Sequence, residues 1–141
     1  MQAQIQKTRW TEHEAALRAV RDTVFIREQR VPPELEWDEH DSASVHFLAA
    51  LPDGTAVGCV RLMASGQISR LSVLSDYRNH GIGKALVCAA EDEARQQGRD
   101  EIFLHAQTHA TSFYESLGFS VTGGIFLEAN IPHRQMFKIL D

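Results

Sequence analysis

No stretch of this chain approaches the roughly 18 consecutive apolar residues that a membrane-spanning helix needs, so no membrane partner is expected. The opening Met-Gln-Ala-Gln-Ile-Gln-Lys lacks the apolar segment of a secretory signal. Cysteine is scarce. Cys59 and Cys88 build no disulfide framework, and no Cys-x-x-Cys occurs. Both fall in apolar contexts and read as buried free thiols in a reducing compartment, so the expected localisation is cytoplasmic. Positive charge is in deficit, with 14 Lys and Arg against 19 Asp and Glu and a net charge of −5. Nucleic-acid binding rests on a basic face that neutralises phosphates, so no nucleic-acid partner is expected. Repeats and low-complexity tracts are also missing. What remains is an ordinary globular composition of 141 residues. That is the length of one domain, 1–141, able to bury about two-thirds of its unfolded surface.

The pattern alternates strands and helices. Residues 3–9 read as an edge strand. Thr11-Glu-His-Glu14 reads as a capping box, followed by Ala15, Leu17, Val20, Val24 and Phe25 at helical spacing. Residues 30–44 form a loop-rich stretch with Pro32-Pro33 and many acids. Three strands, 45–51, 56–63 and 67–74, are joined by the turn signals Pro52-Asp-Gly-Thr55 and Ser65-Gly66, giving an antiparallel meander. A helix over 81–97 presents Ile82, Ala85, Leu86, Ala89, Ala90 and Ala94 on one face. A strand at 101–107, a short helix at 109–117 and late strands at 120–122 and 134–140 complete the chain.

The most informative residues join the third strand of the meander to the long helix: Arg78-Asn-His-Gly81-Ile-Gly83-Lys84. A helix N-terminus offers unpaired N–H groups and the positive end of the helix dipole. Glycine lets a ligand approach the backbone, and Arg78 and Lys84 add charge. The combination suits a phosphate or pyrophosphate. Walker A fails on spacing, because Gly81 and Gly83 are one residue apart and Ala85 stands where a hydroxyl is needed for magnesium. The dinucleotide fingerprint fails because its third glycine position is Leu86.

A basic residue followed by Gly-x-Gly resembles the acyl-CoA pyrophosphate loop of the GCN5-related N-acetyltransferases (GNAT). A second stretch, residues 102–119, resembles that family's other signature: a strand, then Ala110, Phe113-Tyr114 and Leu117-Gly-Phe119. The family's usual asparagine seven residues before the tyrosine is Gln107 here. The resemblance covers residues 45–140 well. It implies an α/β fold of the GNAT-like acyl-CoA N-acyltransferase type, with a mixed, mainly antiparallel central sheet flanked by helices. It also implies a cosubstrate, acetyl-CoA, whose acyl group passes to a primary amine by direct attack in a ternary complex. Single-domain members are often dimers, which leaves a homodimer open. The stretch Phe126–Met136 and the patterns Val24–Gln29 and Glu36-x-Asp38-x-x-Asp41 resemble a small bacterial subgroup of uncharacterised acetyltransferases.

Carried onto this chain, the resemblance implies that the cosubstrate is held by Arg78, Asn79, His80, Gly81, Ile82, Gly83, Lys84 and Ala85. It implies that backbone groups of Leu71 and Val73 hold the pantetheine arm, with the Val73 N–H facing the developing oxyanion, and that Gln107 contributes an amide. Tyr114 is the implied proton donor to the departing sulfur. A phenol with pKa near 10 is protonated at pH 7. For the base, Glu34 to Asp41 carries five carboxylates and His40 within eight residues. Such runs usually form a solvated loop, but in this family the segment after the first helix lines the acceptor pocket. Glu36 ranks first, His40 second and His105, at the end of a strand, third. His105 and His109 are four apart but straddle a strand-to-helix break, and no ligating partner accompanies them, so no metal is expected.

Two other readings stand beside this one. A non-catalytic acyl-CoA sensor would bind the thioester and transfer nothing. An acyl-homoserine-lactone synthase is weakly resembled through Arg21, Phe25, Glu36, Asp38, Asp41 and Arg61. Those enzymes are usually much longer and lack a clear Arg-x-x-Gly-x-Gly loop.

Overall fold

A computed structural model describes residues 2–141. Seven strands form one sheet in the order β1-β2-β3-β4-β5-β7-β6. Their ranges are β1 Gln4–Arg9, β2 Val45–Ala50, β3 Ala56–Leu62, β4 Gln67–Val73, β5 Glu101–Gln107, β6 Ser120–Glu128 and β7 Ile131–Ile139. All neighbours are antiparallel except β4 and β5. The sheet is therefore mixed and mainly antiparallel, as the sequence implies. Four α-helices accompany it: α1 Trp10–Arg21, α2 Pro33–Glu36, α3 Ile82–Gln96 and α4 Thr111–Ser116. A π-helical turn, Asp22–Glu28, continues α1. Among the described residues no helix is long and apolar enough to cross a membrane.

The sheet is covered on both faces, and β2 shows this by parity. Val45, Phe47 and Ala49 join the core under α3, with Leu86, Val87, Ala90 and Ala94. Leu48 faces α1, with Trp10, Leu17, Val20 and Cys59. Each such aliphatic side chain contributes roughly 1.5–3 kcal/mol by leaving water. The α3 face departs from expectation at one point, since Ala85 is exposed. Cys59 is buried but Cys88 is exposed, against the expectation for both thiols. Gly58 allows α3 to sit close on β3. A Cβ there would lie 3.0 Å from the Ser72 carbonyl oxygen and 3.2 Å from Leu86 Cδ1.

Three local readings are corrected. The capping box does not form: Thr11 lies inside α1, whose backbone breaks at His13 (φ −135°, ψ 32°). The Thr8 hydroxyl and His13 Nδ1, 2.6 Å apart, meet there instead. The acid-rich segment 30–44 is not a solvated loop, since Glu36, Asp41 and Ser44 are buried. The late strands are longer than expected and pair as a hairpin turned by Ala129 and Asn130, with φ 51° and 62°. Two consecutive left-handed residues are what a two-residue hairpin turn requires. For Ala129 that backbone costs roughly 1–2 kcal/mol.

Candidate active site

The site begins where β4 and β5 part. Their parallel ladder pairs only Gln67 with Phe103 and Ile68 with Leu104, although β4 runs on to Val73 and β5 to Gln107. The cause lies in β4. The β3–β4 register shifts between Cys59 and Arg61, opposite Arg70, which has φ 57°. A bulge bends its strand, and the two strands splay. The gap opens into a cleft of about 800 Å³, within the range of small-molecule sites.

The splay turns backbone groups toward the cleft. The Leu74 N–H donates to the Val57 carbonyl at 2.9 Å, which makes Gly58 and Val73 a non-hydrogen-bonded pair. The Val73 N–H therefore points away from β3, to the side that β5 has vacated. At the mouth, Asn79 and Gly81 adopt left-handed backbone, with φ 65° and 83°. Alternating left-handed and ordinary residues turn successive N–H groups to one side. Among the described residues, no protein group accepts a hydrogen bond from the amides of residues 79–84. Ile82, Gly83 and Lys84 are also the first turn of α3, where N–H groups have no intrahelical partner. The amides of this turn are thus left without protein acceptors beside the cleft.

Not every expected cofactor-side residue shares in it. Leu71, Val73, Asn79, Gly81, Ile82, Gly83, Lys84 and Gln107 line the cleft, whereas His80 and Ala85 do not. The Ala85 N–H is already committed to the Gly81 carbonyl at 3.0 Å. Arg78 lines the cleft, but its charge is matched. Both terminal nitrogens donate to the Glu28 carboxylate at 2.7 Å, and Nε donates to the Val73 carbonyl at 2.8 Å. This pair holds Glu28 below the usual carboxylate range. Next along the π-helical turn, Gln29 exchanges two hydrogen bonds with Gln107, at 2.9 and 3.3 Å. Residues 28 and 29 therefore tie both lips of the cleft. Tyr114 projects from α4 into the same cleft. Burial pushes its phenol well above its ordinary pKa.

The three base candidates separate. Glu36 is 2% exposed and borders the cleft, but its carboxylate is clamped. Arg21 Nε donates to Oε2 at 2.7 Å, and Arg70 Nε lies 3.1 Å from the same oxygen as an ion-pair contact, at an angle unsuited to a hydrogen bond. Burial raises the Glu36 pKa against the pull of Arg70 and Arg21. Asp38, Asp41 and Arg61 complete this cluster, with Arg61 Nη1 2.7 Å from Asp38 and 3.0 Å from Asp41. Arg21 and Arg18 lie against the rings of Trp10 and Trp37. His40 is exposed and outside the cleft lining, because the chain turns away once Asp38 and Asp41 have docked. His105 lines the cleft, with Nδ1 3.2 Å from Glu128 Oε2.

Two residues of this last group escape a reading of the sequence. Glu128 ends β6 and His133 lies on β7, and the hairpin folds both over β5. His133 Nδ1 lies 2.6 Å from the Ile131 carbonyl and Nε2 lies 4.0 Å from Glu128. Phe126 stacks on the His133 ring and meets His105 edge-on. Among the described residues no group of three or more His, Cys, Asp or Glu is arranged to hold a metal ion.

Residues 11–140 match the family described as acetyltransferase (GNAT) domain. The chain is 39% identical over 124 residues to the uncharacterized N-acetyltransferase YjcF of Bacillus subtilis, covering 84% of this chain and 87% of that one. Among solved structures it resembles an acyl-CoA N-acyltransferase from Pseudomonas aeruginosa, with TM-score 0.86 and 27% identity over 97% of this chain and 99% of that one. It also shares the fold of the acyl-homoserine lactone synthase BjaI, with TM-score 0.77 at 20% identity, covering 99% of this chain and 84% of that synthase.

Proposed function

Since the chain belongs to the GNAT acetyltransferase family, we propose that it moves an acetyl group from acetyl-CoA to a primary amine by direct attack in a ternary complex. The observation that carries this reading is the run of amides at 79–84 with no protein acceptor, at one end of a cleft that leads past Val73 to Tyr114 and His105. These amides, the α3 dipole and Lys84 would hold the diphosphate. In a chain of net charge −5, such local donors must carry the binding of an anion.

The chemistry needs a base, an oxyanion donor and an acid. An alkylammonium of pKa near 10.4 is only about one part in 2,500 free amine at pH 7, so the proton must be accepted as the nitrogen attacks. His105 is the candidate that its surroundings favour. Its Nδ1 faces the Glu128 carboxylate, which orients Nε2 to receive the proton. The nitrogen forms a bond to the thioester carbon, and the Val73 N–H meets the oxygen charge that develops. The C–S bond then breaks. Tyr114 donates its proton to the thiolate and regains one from the nitrogen. Ammonium and acetyl-CoA thus yield amide, free thiol and one proton, which leaves through His105.

The test combines melting and turnover. Acetyl-CoA at 100 times its Kd should stabilise the protein by about 2.7 kcal/mol, a shift of roughly 10 °C for this size. Tyr114→Phe should keep that shift and lose ten- to a hundredfold in kcat. An unchanged midpoint at millimolar acetyl-CoA sinks the reading. A shift with no thiol release from any amine marks a sensor instead, and consumption of S-adenosylmethionine marks a lactone synthase.

A further inference from the structure

We propose that the end of the β6–β7 hairpin is the acceptor-binding site, and that it selects a primary alkylammonium with an apolar body and no carboxylate. This rests on the acetyl-transfer reading above and names its second substrate. Three observations converge on it.

The first is charge. The cations lining the cleft are Arg70, Arg78 and Lys84, besides its histidines. Arg70 is engaged by Glu36 and Asp38, and Arg78 by Glu28. Lys84 belongs to the first turn of α3, at the diphosphate end. Among the described residues that line the cleft, a substrate carboxylate near His105 therefore finds no guanidinium free of an ion pair. An ammonium there finds Glu128, whose side chain is 47% exposed and whose basic neighbours within 4.0 Å, among the described residues, are the imidazoles of His105 and His133.

The second is orientation. Glu128 stands between two imidazoles, 3.2 Å from His105 Nδ1 and 4.0 Å from His133 Nε2. His133 is itself fixed by the Ile131 carbonyl and by the Phe126 ring. The left-handed turn at Ala129 and Asn130 directly follows Glu128, so the carboxylate sits on a strand end that cannot slide. One oxygen can orient His105 while the other takes the ammonium. Binding and deprotonation then occur at one place. The ammonium docks on Glu128, a proton passes to His105 Nε2, and the freed nitrogen attacks the thioester carbon.

The third is the wall. Ile131 follows the hairpin turn beside Glu128, and Phe25, Val31 and Leu35 line the same cleft, with Leu35 53% exposed. An apolar body on the amine would cover it, and burial of that kind is the main source of affinity in such pockets.

Matched amine pairs test the idea: phenethylamine against phenylalanine, and tyramine against tyrosine, with thiol release followed at saturating acetyl-CoA. The decarboxylated member of each pair should have a kcat/KM at least tenfold higher. Glu128→Gln should raise KM for the amine at least tenfold with the acetyl-CoA melting shift intact, and Glu128→Asp should recover part of it. Glu128→Arg should reverse the preference within each pair. His105→Gln should lower kcat and change KM little. Equal use of amino acids and amines, or an amine KM unmoved by Glu128→Gln, overturns this assignment while leaving acetyl transfer standing. Loss of the melting shift, or no turnover of any amine by the unaltered protein, overturns both.

Discussion

A methyl group at position 83 would lie 3.5 Å from Phe113 Cζ and 3.9 Å from Val73 Cγ2, ordinary contacts that need no rearrangement. Gly83→Ala also replaces a glycine in the first turn of α3, which stabilises a helix by up to about 1 kcal/mol. The variant should therefore melt at the same temperature or a few degrees higher, yet bind acetyl-CoA at least tenfold more weakly, because the added carbon stands where the diphosphate must approach. An unchanged Kd by calorimetry would remove Gly83 from the cradle. That Gly81, Gly83 and Tyr114 share one cleft is legible in the sequence because the motifs that carry them are short and local. Glu128 and Gln29 are not. Glu128 meets His105 across 23 positions and Gln29 meets Gln107 across 78, and no local pattern records either encounter.

At the scale of elements, the segment 33–41 is held by charge. Glu36, Asp38 and Asp41 face Arg21, Arg61 and Arg70, three anions against three cations. A buried ion cluster adds little net stability over an apolar one, but removing one member leaves its partners uncompensated at a cost of about 3–5 kcal/mol. Glu36→Gln should accordingly lower the urea midpoint sharply. In the fraction that stays folded, the proposed route for the proton through His105 predicts a kcat within about threefold of the unaltered protein. A large loss of kcat at unchanged stability would return Glu36 to the role of base. The sequence shows these carboxylates but not their fate, because the arginines that bury them lie on α1, β3 and β4. The late strands were hidden for a related reason. They are expected from the sequence only at 120–122 and 134–140, yet β6 runs on through Gly123, which falls in the register shift between Thr122 and Phe126. Pro132 pairs with Leu127 one residue beyond the end of the β5 ladder at His133, so β5 needs no N–H from it.

At the scale of the whole molecule, the same cluster sets the response to pH. His46 is 1% exposed and holds the Asp41 carbonyl through Nε2 at 2.8 Å. Burial lowers its pKa below the ordinary 6.5. The unfolded chain therefore takes a proton at His46 before the folded one does, so stability falls as pH drops below about 6.5. Glu36, whose pKa burial raises, acts in the opposite sense and softens the decline, whereas Asp38 acts in the same sense as His46 at lower pH. Burial raises its pKa, but Arg61 and Arg70 outweigh that and hold it below the usual range, so its contribution is lost as pH falls through the folded value. Urea midpoints should decline from pH 7.5 to 5.5, and His46→Gln, which can still donate to the Asp41 carbonyl, should flatten that part of the curve. A flat profile in the unaltered protein would contradict the account. The meander and the long helix were legible because each follows from short-range periodicity, and the mixed sheet was legible only through the family resemblance. The insertion of β7 between β5 and β6 was not, since strand order is decided by packing across the whole chain.

The parting of β4 from β5 leaves half a ladder without its second rail. The Val73 N–H and the backbone groups of Leu71 stand at the spacing of a peptide, about 3.3 Å per residue, while Arg78 Nε already answers the Val73 carbonyl. A guest that brings its own amide bonds can complete the rail. A plain hydrocarbon tether of equal length would dry those groups without answering them, at about 1–3 kcal/mol each. The bulge at Arg70 thus does more than make room: it asks for a ligand whose linker imitates a strand.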